Sequence, residues 1–211
     1  MKKIGLYFLI FVFLFAITSY GGILHIIAGE TNYEIGGTLT TILNGKIIIG
    51  DTTIVASHIT VLGEKDVNGN VSWKSAEATG NVLVMLKDAT VTAKEMHYDL
   101  NTDSGILTGG ASMTIKASDS NISIQSSTLT FDTKKEVYTG SGSPVVIEKG
   151  KLHIEGKNFV YDVNKKMFDV FKEVYLFNSS NNEKAWAQEL EMNISKNTVV
   201  LKKVKMEIIV K

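Results

Sequence analysis

One short grammar repeats five times along this chain, so any fold it adopts must build the same local structure five times over. Aligned on Val61, Tyr98, Phe131, Tyr161 and Met192, the copies follow one another roughly every 30 to 37 residues. Two residues before each anchor stands a large apolar side chain: Ile59, Met96, Leu129, Phe159 and Leu190. Five before it the residue is small (Ala56, Ala93, Ser126, Gly156, Ala187), and seven before it apolar again (Ile54, Val91, Ile124, Ile154, Ala185). Asp99, Asp132, Asp162 and Asn193 follow four of the anchors directly, and Leu62 breaks the rule in the first copy.

Within each copy the dominant period is two. Ile122-Ser-Ile124 leads to Leu129-Thr-Phe131, and Leu152-His-Ile154 leads to Phe159-Val-Tyr161 with the same spacing. Such alternation marks a strand with one buried face. Between the two halves the phase slips by one residue, which predicts a bulge or sharp bend at the small residue. The aspartates open polar turns, because their carboxylates bond the local backbone. A return strand is expected after each: 106–115, 137–147, 167–177 and 199–210. Asn68-Gly69 predicts a hairpin in the first copy. The expectation is all-β, with strand pairs sharing one apolar interior, since a single hairpin cannot bury its own face.

The chain has 211 residues, 22 basic side chains against 22 acidic, and no cysteine. Disulfides, zinc–thiolate sites and thiol nucleophiles are excluded. Every basic residue is lysine, so the bidentate fork that reads phosphates and base edges is missing, and balanced charge argues against a nucleic-acid partner. Eighteen glycines against one proline suit strands and tight turns.

Lys2 and Lys3 precede an almost unbroken apolar run from Ile4 to Ile17, the layout of a signal peptide with a cleavage point near Gly21. A second apolar stretch, Ile23 to Ala28, permits another reading, in which residues 4–28 form one membrane-spanning anchor helix with the lysines inside the cell. Both readings divide the chain at the same place, with residues 1–30 as signal peptide or anchor and 31–211 as the exported domain.

Three further segments carry a family resemblance. They are Ala78-Thr-Gly80-Asn81-Val82, then Ala93-Lys-Glu-Met96-His-Tyr98-Asp99, then Leu107-Thr-Gly109-Gly-Ala111-Ser-Met113. Their order and repetition resemble the OstA/LptA family of lipopolysaccharide-transport proteins over roughly Ile42 to Ile208. The resemblance implies an open antiparallel β-jellyroll, a folded-over sheet often likened to a taco. It implies a periplasmic protein of outer-membrane assembly that carries lipopolysaccharide, or a lipid A-like glycolipid, from inner to outer membrane. Its partners would be further copies joined head to tail, jellyroll-containing proteins at both membranes, and an ATP-driven transporter that supplies direction. No cofactor is implied.

On that reading the acyl chains lie against the inner seam. The candidate groove residues are Met96, Tyr98, Leu107 and Met113, then Ile124, Leu129 and Phe131, then Ile154, Phe159, Tyr161 and Phe168. The plain alternative is that these side chains are simply a closed core, as in a structural or adhesive β-solenoid. An open seam predicts that Phe131→Asp abolishes lipid binding and spares the fold; a packed core predicts an unfolded variant. A membrane-anchored bridge partner of the same system is a further alternative.

Nothing points to an enzyme. His25, His58, His97 and His153 lack partners at metal-ligand spacing. The three turn aspartates stand about 30 residues apart, which suits turn capping better than calcium or paired acid–base chemistry. Trp73 and Trp186 fall in different copies, which weakens a carbohydrate-active reading. Lys134, Lys135, Lys165 and Lys166 sit on turns, either solvated or facing lipid phosphates at a groove mouth.

Overall fold

In a computed structural model of the chain, residues 24–33, 37–117 and 120–207 are described. The apolar run 4–17 and the cleavage point near Gly21 lie outside them. Among the described residues the regular structure is entirely strand, in one antiparallel sheet of 15 strands. The strands are β1 (Leu24–Tyr33), β2 (Leu39–Ile49), β3 (Thr52–Lys65), β4 (Val71–Met85), β5 (Ala89–Asp99), β6 (Ser104–Thr108), β7 (Ala111–Ile115) and β8 (Ile122–Ser126). There follow β9 (Thr128–Asp132), β10 (Val137–Lys149), β11 (Leu152–Asp162), β12 (Met167–Asn178), β13 (Glu183–Asn193), β14 (Thr198–Lys202) and β15 (Lys205–Glu207).

β1 changes the reading of the N-terminal segment. Leu24 to Ala28 pair with Ile49 to Gly45, so the last residues of the expected 4–28 tether belong to a strand, and the sheet begins ahead of the boundary expected at 31. The physical reason is local: the apolar stretch is short, and its alternate residues Leu24, Ile26 and Ala28 pack against the core. Among the described residues no helix is long and apolar enough to cross a membrane.

The predicted phase slips are real. Pairing between β3 and β4 shifts register between Val55 and His58, that between β11 and β12 between Glu155 and Asn158, and that between β12 and β13 between Phe171 and Val174. β4 and β5 shift between Thr79 and Val82. Elsewhere the bend breaks the strand outright, and the expected return strand 106–115 is β6 and β7, separated at Gly109-Gly110. Many of these corners use consecutive residues at positive φ, namely Gly80-Asn81 (72° and 53°), Gly109-Gly110 (78° and 90°) and Lys172-Glu173 (65° and 54°). Glycine takes that conformation without steric cost, whereas a residue with a Cβ pays about 1 kcal/mol or more for it.

Because all the corners align, the long strands fold into two walls with matching strand order. The inner wall halves run β2, β3, β4, β5, β7, β8, β10, β11, β12, β13, β15 on one side. On the other they run β2, β3, β4, β5, β6, β9, β10, β11, β12, β13, β14. We call these the first and second walls. Their alternate residues face inward and form a single core that includes Ile47, Ile54, Val91, Met113, Phe131 and Phe168, each fully buried.

Candidate functional site

Register turns the repeat into geometry. In the second wall the anchors lie on one transverse rung: Val61, Ala76, Tyr98, Gly105, Phe131, Tyr138, Tyr161, Phe168 and Met192 are opposite one another in succession. The rung nearer the corner runs Ile42, Ile59, Ala78, Met96, Leu107, Leu129, Gly140, Phe159, Val170, Leu190. In the first wall the matching rung runs Ile47, Ile54, Val84, Val91, Met113, Ile124, Ile147, Ile154, Leu176, Ala185. All eleven candidate groove residues fall on these three rungs. Tyr98, Phe131, Tyr161 and Phe168 share the first; Met96, Leu107, Leu129 and Phe159 the second; Met113, Ile124 and Ile154 the third.

The walls differ in chemistry. The inner face of the first wall is aliphatic, and that of the second carries the rings. Tyr161 stacks on Phe168 with centroids 4.2 Å apart, while Tyr98 and Phe131 lie tilted at 6.0 Å. Glycines make room for them. A Cβ on Gly105 would stand 2.5 Å from the Phe131 ring, and one on Gly140 would strike the Phe159 ring. Each aromatic therefore covers the glycine on the neighbouring strand, a pairing that fills the pleat without a void.

None of the eleven side chains is more than 5% exposed. The walls touch, and the seam is closed along its length by its own side chains. Two surface hollows, of about 500 and about 450 Å³, lie on the outside instead, one beside Phe171 and Lys202, the other beside His153 and Tyr175.

Sequence reasoning missed the polar residues of the seam. Tyr138 shares the aromatic rung, Thr52 begins β3 facing inward, and Lys149 ends β10 between Ile122 and Leu152 at only 5% exposure. The signal was available for Lys149, which continues the inward alternation of Val145 and Ile147. Burial raises the phenol of Tyr161 to about 12 and those of Tyr98 and Tyr138 further still, so all three remain hydroxyl donors at any physiological pH.

The repeated aspartates cap turns. Asp99 accepts the amides of Asn101 and Thr102, Asp132 that of Lys135 (2.9 Å), and Asp162 that of Lys165 (2.9 Å). Asn193 accepts the Lys196 amide at 2.8 Å in the same way. The Thr102 amide holds the Asp99 carboxyl below its ordinary value, and the Lys165 ammonium and amide hold Asp162 down. At Asp132 burial pushes upward but the Lys135 side chain and amide outweigh it. These depressed carboxyls contribute stability above their unfolded value of 3.8, and that contribution is lost as the pH falls through the folded values. Asn193 supplies the control. Asp132→Asn is expected to leave the unfolding free energy from urea titration within about 0.5 kcal/mol of the parent, while Asp132→Ala loses about 1 kcal/mol. Asn at all three positions should also flatten the loss of stability below pH 4; a calcium-dependent midpoint would contradict the capping role.

The turn lysines pair locally. Lys134 reaches the Asn101 carbonyl (2.8 Å) and Asp103 (3.2 Å), and Lys135 and Lys165 each reach the aspartate three residues back at 2.7 Å. Among the described residues no cluster of three His, Asp or Glu side chains could hold a metal. His153 lies between Glu148 (2.5 Å) and Glu155 (2.9 Å), and the bond to Glu148 raises its pKa.

The described residues define one antiparallel sheet folded into two walls around a continuous apolar interior. The sequence profile of the family described as LptA/(LptD N-terminal domain) LPS transport protein matches residues 30–137, and the chain belongs to that family. It is a family of transport proteins. Beyond Val137 the rungs continue through β10 to β13 without a change of grammar. Among solved structures, the chain is similar to LptH, the LptA homologous periplasmic component of the lipopolysaccharide transport device from Pseudomonas aeruginosa. The identity is 10%, the match covers 90% of this chain and 96% of that one, and the TM-score is 0.34. Among curated proteins, none matches this sequence.

Proposed function

We propose that this protein binds lipopolysaccharide, or a related lipid A-like glycolipid, by its acyl chains between the two walls and passes it along a protein bridge in the periplasm. The observation that carries the reading is the continuity of the three apolar rungs, which between them cross every strand from β3 to β13. Each methylene transferred from water to such a seam contributes about 0.8 kcal/mol, so a few acyl chains supply ample affinity with no catalytic group. The seam residues are those on the three rungs, with Phe131, Phe159 and Tyr161 central. Edge strands suit the bridge. β1 at one end and β14 with β15 at the other carry exposed Ile27, Val200 and Met206, and further copies or jellyroll partners would add strands there.

Full burial of the seam favours one competing reading, a closed structural module that takes no lipid. Native mass spectrometry separates them. The full chain, exported in a double-membraned host and purified gently, is expected to carry a discrete glycolipid mass. Clean apoprotein under conditions that keep a known carrier loaded would establish the closed module.

A further inference from the structure

The closed seam is fastened along its mouth, the side away from the corners. Two polar contacts cross there from one wall to the other. The Tyr138 hydroxyl, in the second wall, donates to Asp88 Oδ1 at 2.7 Å, in the turn that ends β4 in the first. Lys149 Nζ, at the first-wall end of β10, donates to Asn197 Oδ1 at 3.1 Å, in the turn between β13 and β14. Thr52, at the first-wall start of β3, is buried like Tyr98 in the second wall, whose hydroxyl donates to Asp103 Oδ1 at 3.4 Å.

These contacts recur with the repeat. They join residues 50 and 48 positions apart, and each reaches a strand of the second wall further along the sheet, as the twist of two packed walls requires. Their residues are among the polar exceptions in an apolar interior. Thr52, Tyr98, Tyr138 and Lys149 are each at most 5% exposed.

We propose that this row is a latch, which holds the two walls together in the empty protein and is released when the seam opens. It rests on the lipid-carrier reading only for what enters. Apolar side chains alone would let the walls part by degrees; directional bonds in a partly dry setting define one closed state. When the mouth parts, the freed hydroxyl and ammonium lie where an acyl chain meets its polar head, and ester, amide or phosphate oxygens of the lipid replace the lost partners. Opening into water alone has no such compensation, so the ligand shifts the equilibrium by its preference for the open state.

The chain has no cysteine, so two introduced thiols report on the mouth without background. Nitroxides at Lys87→Cys and Lys135→Cys flank the Asp88–Tyr138 contact on opposite walls. In the labelled full-length parent, electron–electron distances should be short and narrowly distributed, and lipid A in detergent micelles should lengthen them. Tyr138→Phe with Lys149→Met should lengthen and broaden them without lipid and speed lipid A association about fivefold or more, the factor for loss of one net hydrogen bond. Asp88→Asn keeps an acceptor oxygen for Tyr138 and should retain the parent distances, which separates latch loss from misfolding. Identical distances in the parent and the double variant would overturn the latch. A widened mouth with no lipid bound by either protein would uphold the latch and overturn the lipid-carrier reading.

Discussion

Phe131→Asp is expected to destabilise the protein by more than about 4 kcal/mol, enough to leave much of it unfolded at body temperature. The ring is fully buried, lies 6.0 Å from the Tyr98 ring, and covers Gly105 so closely that no side chain fits beneath it. A carboxylate there loses its hydration and gains no cation or amide in return. Urea titration followed by circular dichroism checks this. A native midpoint would mean that water reaches the ring readily, as an open seam allows. The sequence reading attached the unfolded outcome to a packed core, and the closed geometry favours that outcome for the empty protein. Phe131→Asp is therefore a probe of packing, and lipid contact is better tested with Phe131→Leu, which keeps an apolar side chain on the rung.

The second large effect is expected at Gly140. Its φ is not positive, so the backbone accepts a side chain, and opposition comes from the Phe159 ring and, at 3.0 Å, the Thr128 carbonyl oxygen. Gly140→Val should cost about 2 to 3 kcal/mol by overpacking. Phe159→Leu should recover part of that cost in the double variant, because the smaller side chain vacates the space that valine needs. A thermodynamic cycle measures the coupling. Additive losses would show that the clash lies with the backbone of β9 and not with the ring.

Much of this architecture was legible because strand pairing with aligned corners converts a sequence repeat into spatial rungs. Residues at equivalent repeat positions, such as Tyr98, Phe131 and Tyr161, fall on one line as soon as register is fixed. The phase slip before Lys157 and Asn158 located a corner without reference to any neighbour. The Gly80-Asn81 pair of the family pattern acquires a physical meaning, since both residues are at positive φ where β4 turns from one wall to the other.

What escaped depended on contacts between walls. Tyr138 and Asp88 belong to different copies, and no period of the chain predicts that they meet. Whether a seam of apolar rungs stands open or closed is a question of how two walls sit together, and alternation within a strand says nothing of it. Strand β1 escaped for another reason. In sequence the apolar stretch Ile23 to Ala28 reads equally well as the end of a membrane span; in the structure Leu24 to Ala28 pair with Ile49 to Gly45.

The corners carry a consequence for growth. Since each strand of a hairpin crosses the fold line once and the hairpin pairs with its predecessor on both walls, one added copy widens each wall by about two strand spacings, roughly 10 Å, without disturbing those already laid down. The capacity of the interior is then counted in hairpins. Duplication alone would lengthen that interior, and a chain of any such length would still end in two edges able to accept the next.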